Sequence, residues 1–342
     1  MSFRKRGMMT LPDALPVARI IVQPDDGVAP VVELIAGASR SVRLKMFTFT
    51  YEPIITALKA AHDRGVSVRV MLNPARSSGS RANDETMAEL RAAGIEAIWS
   101  NPAFPVTHEK SMVIDEQRAL IATFNFVEKY FTRTRDYGAI IEDQATVAEI
   151  LQGFDADWNR QPFWPRSGSP LVWSNTSART AMCAFIDSAQ ETLWIQHPKF
   201  VDATVLDRIV AAQARGVAVR ILCGGRHGIS EVDLLDTFSS LRIMQRMDIA
   251  IHKQKTLRAH AKLMIADKTT ALIGSMNIDR SAFDIRRELG IVLHGEDTTK
   301  HLREIFKSDW KISHRYDPPD PLTVHLHVED DHEPHDIEVA HE

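Results

Sequence analysis

The sequence predicts an α/β protein built from two related lobes, each around a mixed, largely parallel sheet. Three observations carry this. A helix–glycine–strand order marks a βαβ unit: Ile54 to Asp63 is amphipathic, stops at Arg64-Gly65, and leads into the apolar run Val66 to Leu72. The plan then restarts. Arg64-Gly65-Val66-Ser67-Val68-Arg69 returns as Arg215-Gly216-Val217-Ala218-Val219-Arg220 at an offset of 151, and Phe154, Asp157 and Trp158 return as Phe306, Asp309 and Trp310 at 152. Finally, 342 residues with 44% hydrophobic and 25% charged content suit a soluble globular chain that buries its core without staples.

In chain order, Ala18 to Val22 reads as a strand, Val28 to Ala38 as a helix and Val42 to Phe49 as β-rich. After the first βαβ unit, Ala75 to Asn83 is a polar loop, Glu85 to Ala93 a helix and Ile95 to Trp99 a strand. His108 to Ile114 is expected as a strand, Asp115-Glu116-Gln117 as a tight turn and Arg118 to Thr123 as the return. Tyr137 to Ile141 closes the first sheet and Thr146 to Trp158 is its last helix. The divisions that follow are an N-terminal arm (1–17), a first lobe (18–162), a Pro/Gly/Ser-rich linker (163–169), a second lobe (170–313) and an acidic tail (314–342) expected to be disordered. Two halves packed about a pseudo-twofold axis explain the repeat better than two independent copies, because each copy brings half of a plausible site.

Composition excludes several classes. Two cysteines, Cys183 and Cys223, build no disulfide framework or metal spacing and fit a reducing compartment. The basic start, Met1 to Arg6, has no apolar run behind it, and no stretch is long enough to span a bilayer. The expectation is a cytoplasmic protein, peripheral at the inner membrane face if lipid is its substrate. Net charge is −4; from Ser313 onward nine acids stand against one arginine, which leaves the rest mildly basic, too weakly for a nucleic-acid footprint. His325, His327, His332, His335 and His341 match no metal-site spacing.

The chemistry lies in a pattern present twice. His108-Glu109-Lys110 with Asp115 is H-x-K-x4-D, and His260-Ala261-Lys262 with Asp267 repeats it 152 residues later. On a strand, i and i+2 share a face, so each His stands beside its Lys, while Asp115 and Asp267 have the opposite parity and fall at the strand end in a supporting role. Two imidazoles and two ammonium groups brought together are what phosphodiester transfer needs. One imidazole attacks phosphorus, the other exchanges protons with the leaving and entering oxygens, and the lysines stabilise charge on the non-bridging oxygens with no metal or cofactor required. Asn125 and Asn277, each 17 residues after its His, are candidates to donate to phosphate, and Asp136 and Glu288 to hold an imidazole N–H in one tautomer.

These residues resemble the phospholipase D superfamily, whose signature is this paired HKD motif, from about Ala18 to Trp310. The contexts Asn125-Phe126-Val127 and Asn277-Ile278-Asp279 look like bacterial members of the cardiolipin synthase-like group. The family's Gly-Ser-x-Asn continuation stands in the second half as Gly274-Ser275-Met276-Asn277, adding Ser275 to the phosphate-binding candidates. The first half departs with Ala122-Thr123-Phe124-Asn125, where Thr123 keeps the hydroxyl, and Asp136 replaces the usual Glu. The resemblance implies a bilobed α-β-α sandwich and a metal-independent ping-pong reaction through a phosphohistidine. It also implies all six motif residues as the catalytic set, with His108 as nucleophile and His260 as acid and base. The implied substrate is a phospholipid head group. Phe104, Phe163 and Trp164 are candidates either to touch a membrane or to anchor their loops. The alternative is a nuclease, for which Arg133, Arg135, Arg286 and Arg287 would line a basic cleft, with structural ion pairs as the competing use. Retention of both His and both Lys argues against an idle scaffold. Head group, acceptor and oligomeric state are not encoded legibly.

Overall fold

A computed structural model describes Leu15, residues 17–76, 79–225, Ile229 and 231–323. The first half contributes β1 (Arg19–Gln23), α1 (Ala29–Ala36), β2 (Ser41–Met46), α2 (Glu52–Asp63), β3 (Ser67–Leu72), α3 (Asp84–Ala92), β4 (Glu96–Trp99), β5 (Ser111–Ile114), β6 (Arg118–Ala122), α4 (Glu128–Thr132), β7 (Thr134–Ile141) and α5 (Gln144–Trp158). The second contributes β8 (Leu171–Trp173), α6 (Ala178–Ser188), β9 (Thr192–Gln196), α7 (Ala203–Ala214), β10 (Ala218–Cys223), α8 (Glu231–Arg246), β11 (Ala250–Lys253), β12 (Arg258–Ala259), β13 (Leu263–Ala266), β14 (Thr270–Gly274), α9 (Arg280–Asp284), β15 (Leu289–His294), α10 (Glu296–Ile312) and β16 (His314–Arg315).

One sheet runs β1-β7-β6-β5-β2-β3-β4 and the other β16-β11-β10-β9-β13-β14-β15-β8. Both are mixed, with a smaller parallel share than the sequence predicts. Between strands, parallel pairing is limited to β2–β3–β4, β9–β10–β11 and the short β12–β7 pair, which joins the second half to the edge of the first sheet. The HKD hairpins, β5–β6 and β13–β14, are joined by tight turns, so they enter antiparallel beside β2 and β9. The registers match across the duplication: Lys45 lies opposite Ser111 in one sheet and Gln196 opposite Leu263 in the other.

The repeated Arg-Gly-Val ends a helix identically in both halves. Gly65 and Gly216 take φ of 87° and 92°, where a side chain is strained, and their N–H groups close the last turn onto His62 and Gln213. Side-chain alternation then sorts three cores. Met112 and Ile114 face the layer of α1, α2 and α3, and Met264 and Ala266 face the layer of α6, α7 and α8. Val113, Leu263 and Ile265 face inward, where both sheets meet with Val147 and Ile150 of α5 and Leu302 and Phe306 of α10. The two halves therefore share one interior. The tail from Val324, with its histidines, and the arm from Met1 to Ala14 lie outside the described residues.

Candidate active site

Strand β5 begins only at Ser111, three residues later than the sequence suggests. His108, Glu109 and Lys110 lie before it because their backbone is used elsewhere: the N–H groups of His108 and Glu109 both donate to Arg287 O of the other half at 2.9 Å. The second motif mirrors this, with His260 N and Ala261 N donating to Arg135 O at 3.4 and 3.0 Å. The crossed backbone pairing brings each histidine against the acid of the opposite half. His108 Nδ1 lies 3.0 Å from both oxygens of Glu288, and His260 Nδ1 lies 2.7 Å from Asp136 Oδ1. All four side chains are buried.

The environments of the two dyads differ. Burial pushes the Glu288 carboxyl up to about 8, against the opposing pull of Lys110, Arg286 and the Ser275 hydroxyl. Asp136 instead accepts from Thr123 Oγ1 at 2.6 Å and Thr134 Oγ1 at 2.5 Å. Lys262 Nζ stands 2.9 Å from His260 Nε2, while Lys110 Nζ donates to His108 O at 2.7 Å. Phe47 meets the His108 ring edge-on at 4.7 Å, and Tyr130 lies 4.5 Å from His260.

The structure also places three more of the expected site residues. Asp115 and Asp267, named with the catalytic set, sit at positive φ in their turns and accept backbone N–H groups. Asp115 takes those of Ser39, Arg40 and Ser41, and Asp267 those of Gln190, Glu191 and Thr192. They lock the hairpin to the start of the neighbouring strand. Ser275, expected on phosphate, is held against the backbone of Leu289, whose N–H donates to its hydroxyl at 3.0 Å. Asn125 and Asn277 are buried, and Asn277 Oδ1 has no hydrogen-bond partner among the described residues. Among the described residues no group of three or more His, Cys, Asp or Glu could hold a metal ion.

With this geometry in place, comparison with known proteins decides the lineage. A family profile described as "Cardiolipin synthase, PLD-like domain" matches twice, over residues 31–158 and 182–310. The chain belongs to this family. Curated relatives include cardiolipin synthase 1 of Bacillus anthracis, 23% identical over 86% of this chain and 66% of that one, and cardiolipin synthase of Geobacillus sp. (strain WCH70), 25% identical over 86% and 66%. The chain thus spans just under two thirds of the length of the curated relatives it matches. In fold it resembles phosphatidylserine synthase from Haemophilus influenzae (TM-score 0.69, 13% identity, 90% of each chain) and polyphosphate kinase from Porphyromonas gingivalis (TM-score 0.70, 18% identity, 88% of this chain and 48% of that one).

Within this PLD-like frame, sequence reasoning passed over the groups behind the histidines. Lys45 Nζ lies 2.9 Å from Glu109 Oε2 and 2.6 Å from Asp157 Oδ2, and Arg287 Nε donates to the same Asp157 oxygen at 2.9 Å. Arg135 of β7 reaches into the second half and grips Asp309 through Nε and Nη2 at 2.9 and 3.0 Å, beside Gln196 and Gln254. Arg135 and Arg287 are therefore buried in ion pairs and line no basic cleft. Phe104 and Phe163 pack over the Arg287 guanidinium at 5.0 and 5.2 Å, which makes them anchors, while Trp164 is 80% exposed. His197, also unforeseen, is buried beside Lys262; burial, then that lysine, push it down to about 3, so it is neutral. The recurrence of Asp157 as Asp309 was the available signal for these interior groups.

Proposed function

We propose that the chain transfers or hydrolyses phosphodiesters of phospholipid head groups, as a phosphatidyltransferase of the PLD type, by a two-step reaction through a phosphohistidine. The observation that carries this is the crossed dyad pair: each imidazole is fixed through Nδ1 by an acid from the other half, which leaves Nε2 for chemistry. His108 Nε2 attacks phosphorus as the bond to the leaving oxygen breaks, and His260 gives that oxygen its proton. In the second step His260 takes the proton of the incoming water or alcohol, whose oxygen bonds to phosphorus as the P–N bond breaks. A Lys262 ammonium donating to His260 Nε2 describes the basic form that this second step uses. Lys110 and Lys262 supply positive charge for the non-bridging oxygens, and Asn125 and Asn277 are the phosphate-facing amides.

The curated relatives are named cardiolipin synthases, which supports a lipid substrate for this chain. A nuclease would need a basic trough, and two of the four arginines that would form one are taken by Asp157 and Asp309. The test is incubation with phosphatidylglycerol vesicles and, separately, with labelled oligonucleotide, both in excess EDTA. Cardiolipin or phosphatidic acid with intact oligonucleotide is expected, and His108→Ala and His260→Ala should each abolish it. Cleaved oligonucleotide with untouched lipid would overturn the reading. No described helix is long and apolar enough to cross a membrane.

A further inference from the structure

Each dyad acid is preceded by an arginine. Arg287 precedes Glu288, and Arg135 precedes Asp136. In extended backbone successive side chains point to opposite faces, so arginine and acid leave the segment in opposite directions. Every polar group of Arg287 with a described partner is committed to the first half. Its N–H donates to Val106 O, its carbonyl accepts from His108 and Glu109, and its Nε donates to Asp157 on the last helix of that half. Arg135 repeats the scheme toward the second half through its carbonyl, which accepts from His260 and Ala261, and through Nε and Nη2, which grip Asp309, while its Nη1 donates to Gln23 O and Asp25 of its own half. All four side chains are at least nine-tenths buried.

We propose that Arg287–Asp157 and Arg135–Asp309 are positioning pairs, each setting the register in which one half's acid meets the other half's histidine. Release of Asp157 frees the strand before Glu288 to shift against the segment before His108; release of Asp309 does the same to Asp136 and His260. The assignment is crossed and specific. Asp157 governs the His108 dyad, although Asp136, the acid of its own half, serves the other. This deepens the functional reading above and rests on it only for the kinetic arm of the test.

The test uses full-length protein labelled with [¹⁵N]histidine, in which the downfield imidazole N–H resonances of the two dyads are assigned through His108→Ala and His260→Ala. Asp157→Asn should shift or broaden the His108 resonance and leave that of His260 in place; Asp309→Asn should do the reverse. On phosphatidylglycerol vesicles, kcat of the folded variants should fall about tenfold or more, with KM within about threefold, because misplacement of reacting groups by an ångström costs rate on that scale. Asp157→Glu, which keeps the carboxylate, should recover part of kcat. If the resonances stay fixed and only the melting temperature falls, or if Asp157→Asn moves the His260 resonance, the proposal is overturned. Should Asp157→Asn not fold, Asp157→Glu and Asp309→Asn carry the same comparison. The NMR arm needs no turnover, so an enzyme inactive on lipid would reject the functional reading and still decide this one.

Discussion

The interior quartet of Lys45, Arg287, Glu109 and Asp157 makes a stability prediction whose control is already present in the second half. The quartet is electrically balanced and buried, with Lys45 bridging both carboxylates at 2.9 and 2.6 Å. The register places Gln196 where Lys45 stands, and the 152-residue offset places Ala261 where Glu109 stands. Nature has thus deleted one cation and one anion together. Lys45→Gln alone leaves a buried carboxylate without compensation, a loss of roughly 3–5 kcal/mol. At about 2–4 °C per kcal/mol, the melting temperature should fall by roughly 6–20 °C. The double variant Lys45→Gln/Glu109→Ala restores balance and should return to within about 1–2 kcal/mol of wild type, so the double-mutant cycle, with Glu109→Ala measured alone, should give a coupling energy of at least about 1 kcal/mol. Urea denaturation at pH 7.5 and 5.5 measures both. Burial opposes ionisation of Asp157, and Lys45 and Arg287 outweigh it, so its pKa is lowered in the wild type and its stabilisation is lost only as pH falls below the ordinary carboxylate range. Without Lys45 the balance reverses, and the deficit should shrink at pH 5.5 as the cluster takes up a proton. A single variant losing under 1 kcal/mol, or a double variant as unstable as the single, would refute the reasoning.

Other expectations follow from the same geometry. Because Glu288 is raised from 4.5 to about 8, the folded state holds a proton that the unfolded state releases, so stability falls as pH rises through that window. Glu288→Gln should flatten the dependence of melting temperature on pH between about 5 and 8. Asp115, held down to about 2 by the N–H groups of Ser41, Arg40 and Ser39 against its burial, is a scaffold residue. Asp115→Ala should lower the melting temperature by about 3–8 °C with kcat and KM of the folded enzyme unchanged, and the wild type's advantage should vanish as pH falls toward 2. A Cβ on Gly274 would meet Gly290 Cα at 2.6 Å and Leu289 O at 2.8 Å, so Gly274→Ala should cost about 1–3 kcal/mol by chemical denaturation. At the matching position of the first half, Ala122→Gly should cost only about 0.5–1 kcal/mol.

What was legible in the sequence follows from what local pattern records. The duplication, the helix–Gly–strand units and the turn at Asp115 are local or periodic, and the parity argument separated Asp115 and Asp267 from the histidines before any coordinates. The start of β5 was misplaced because the backbone of His108 and Glu109 is claimed by Arg287, 178 to 179 residues away, a competition that no local window contains. For the arginines before the acids, cleft and ion pair both stayed open, because a sequence shows charge without showing burial. Their partners lie on α5 and α10, and only the matched Asp157 and Asp309 hinted at an interior use. That each acid serves the other half's imidazole was also hidden, because equal offsets fit pairing within a half as well as across it.

The exchange of acids between halves has an evolutionary corollary. An assembly of two identical single-motif subunits would have to alter both catalytic corners whenever it altered one. A fused chain escapes that tie. Here one corner has a carboxyl held near 8 by burial and a charged quartet behind it, while the other has an aspartate gripped by two threonines and a bed of glutamines. Covalent duplication let the corners become chemically unequal, as a reaction that asks one imidazole for nucleophilicity and the other for proton transfer would favour.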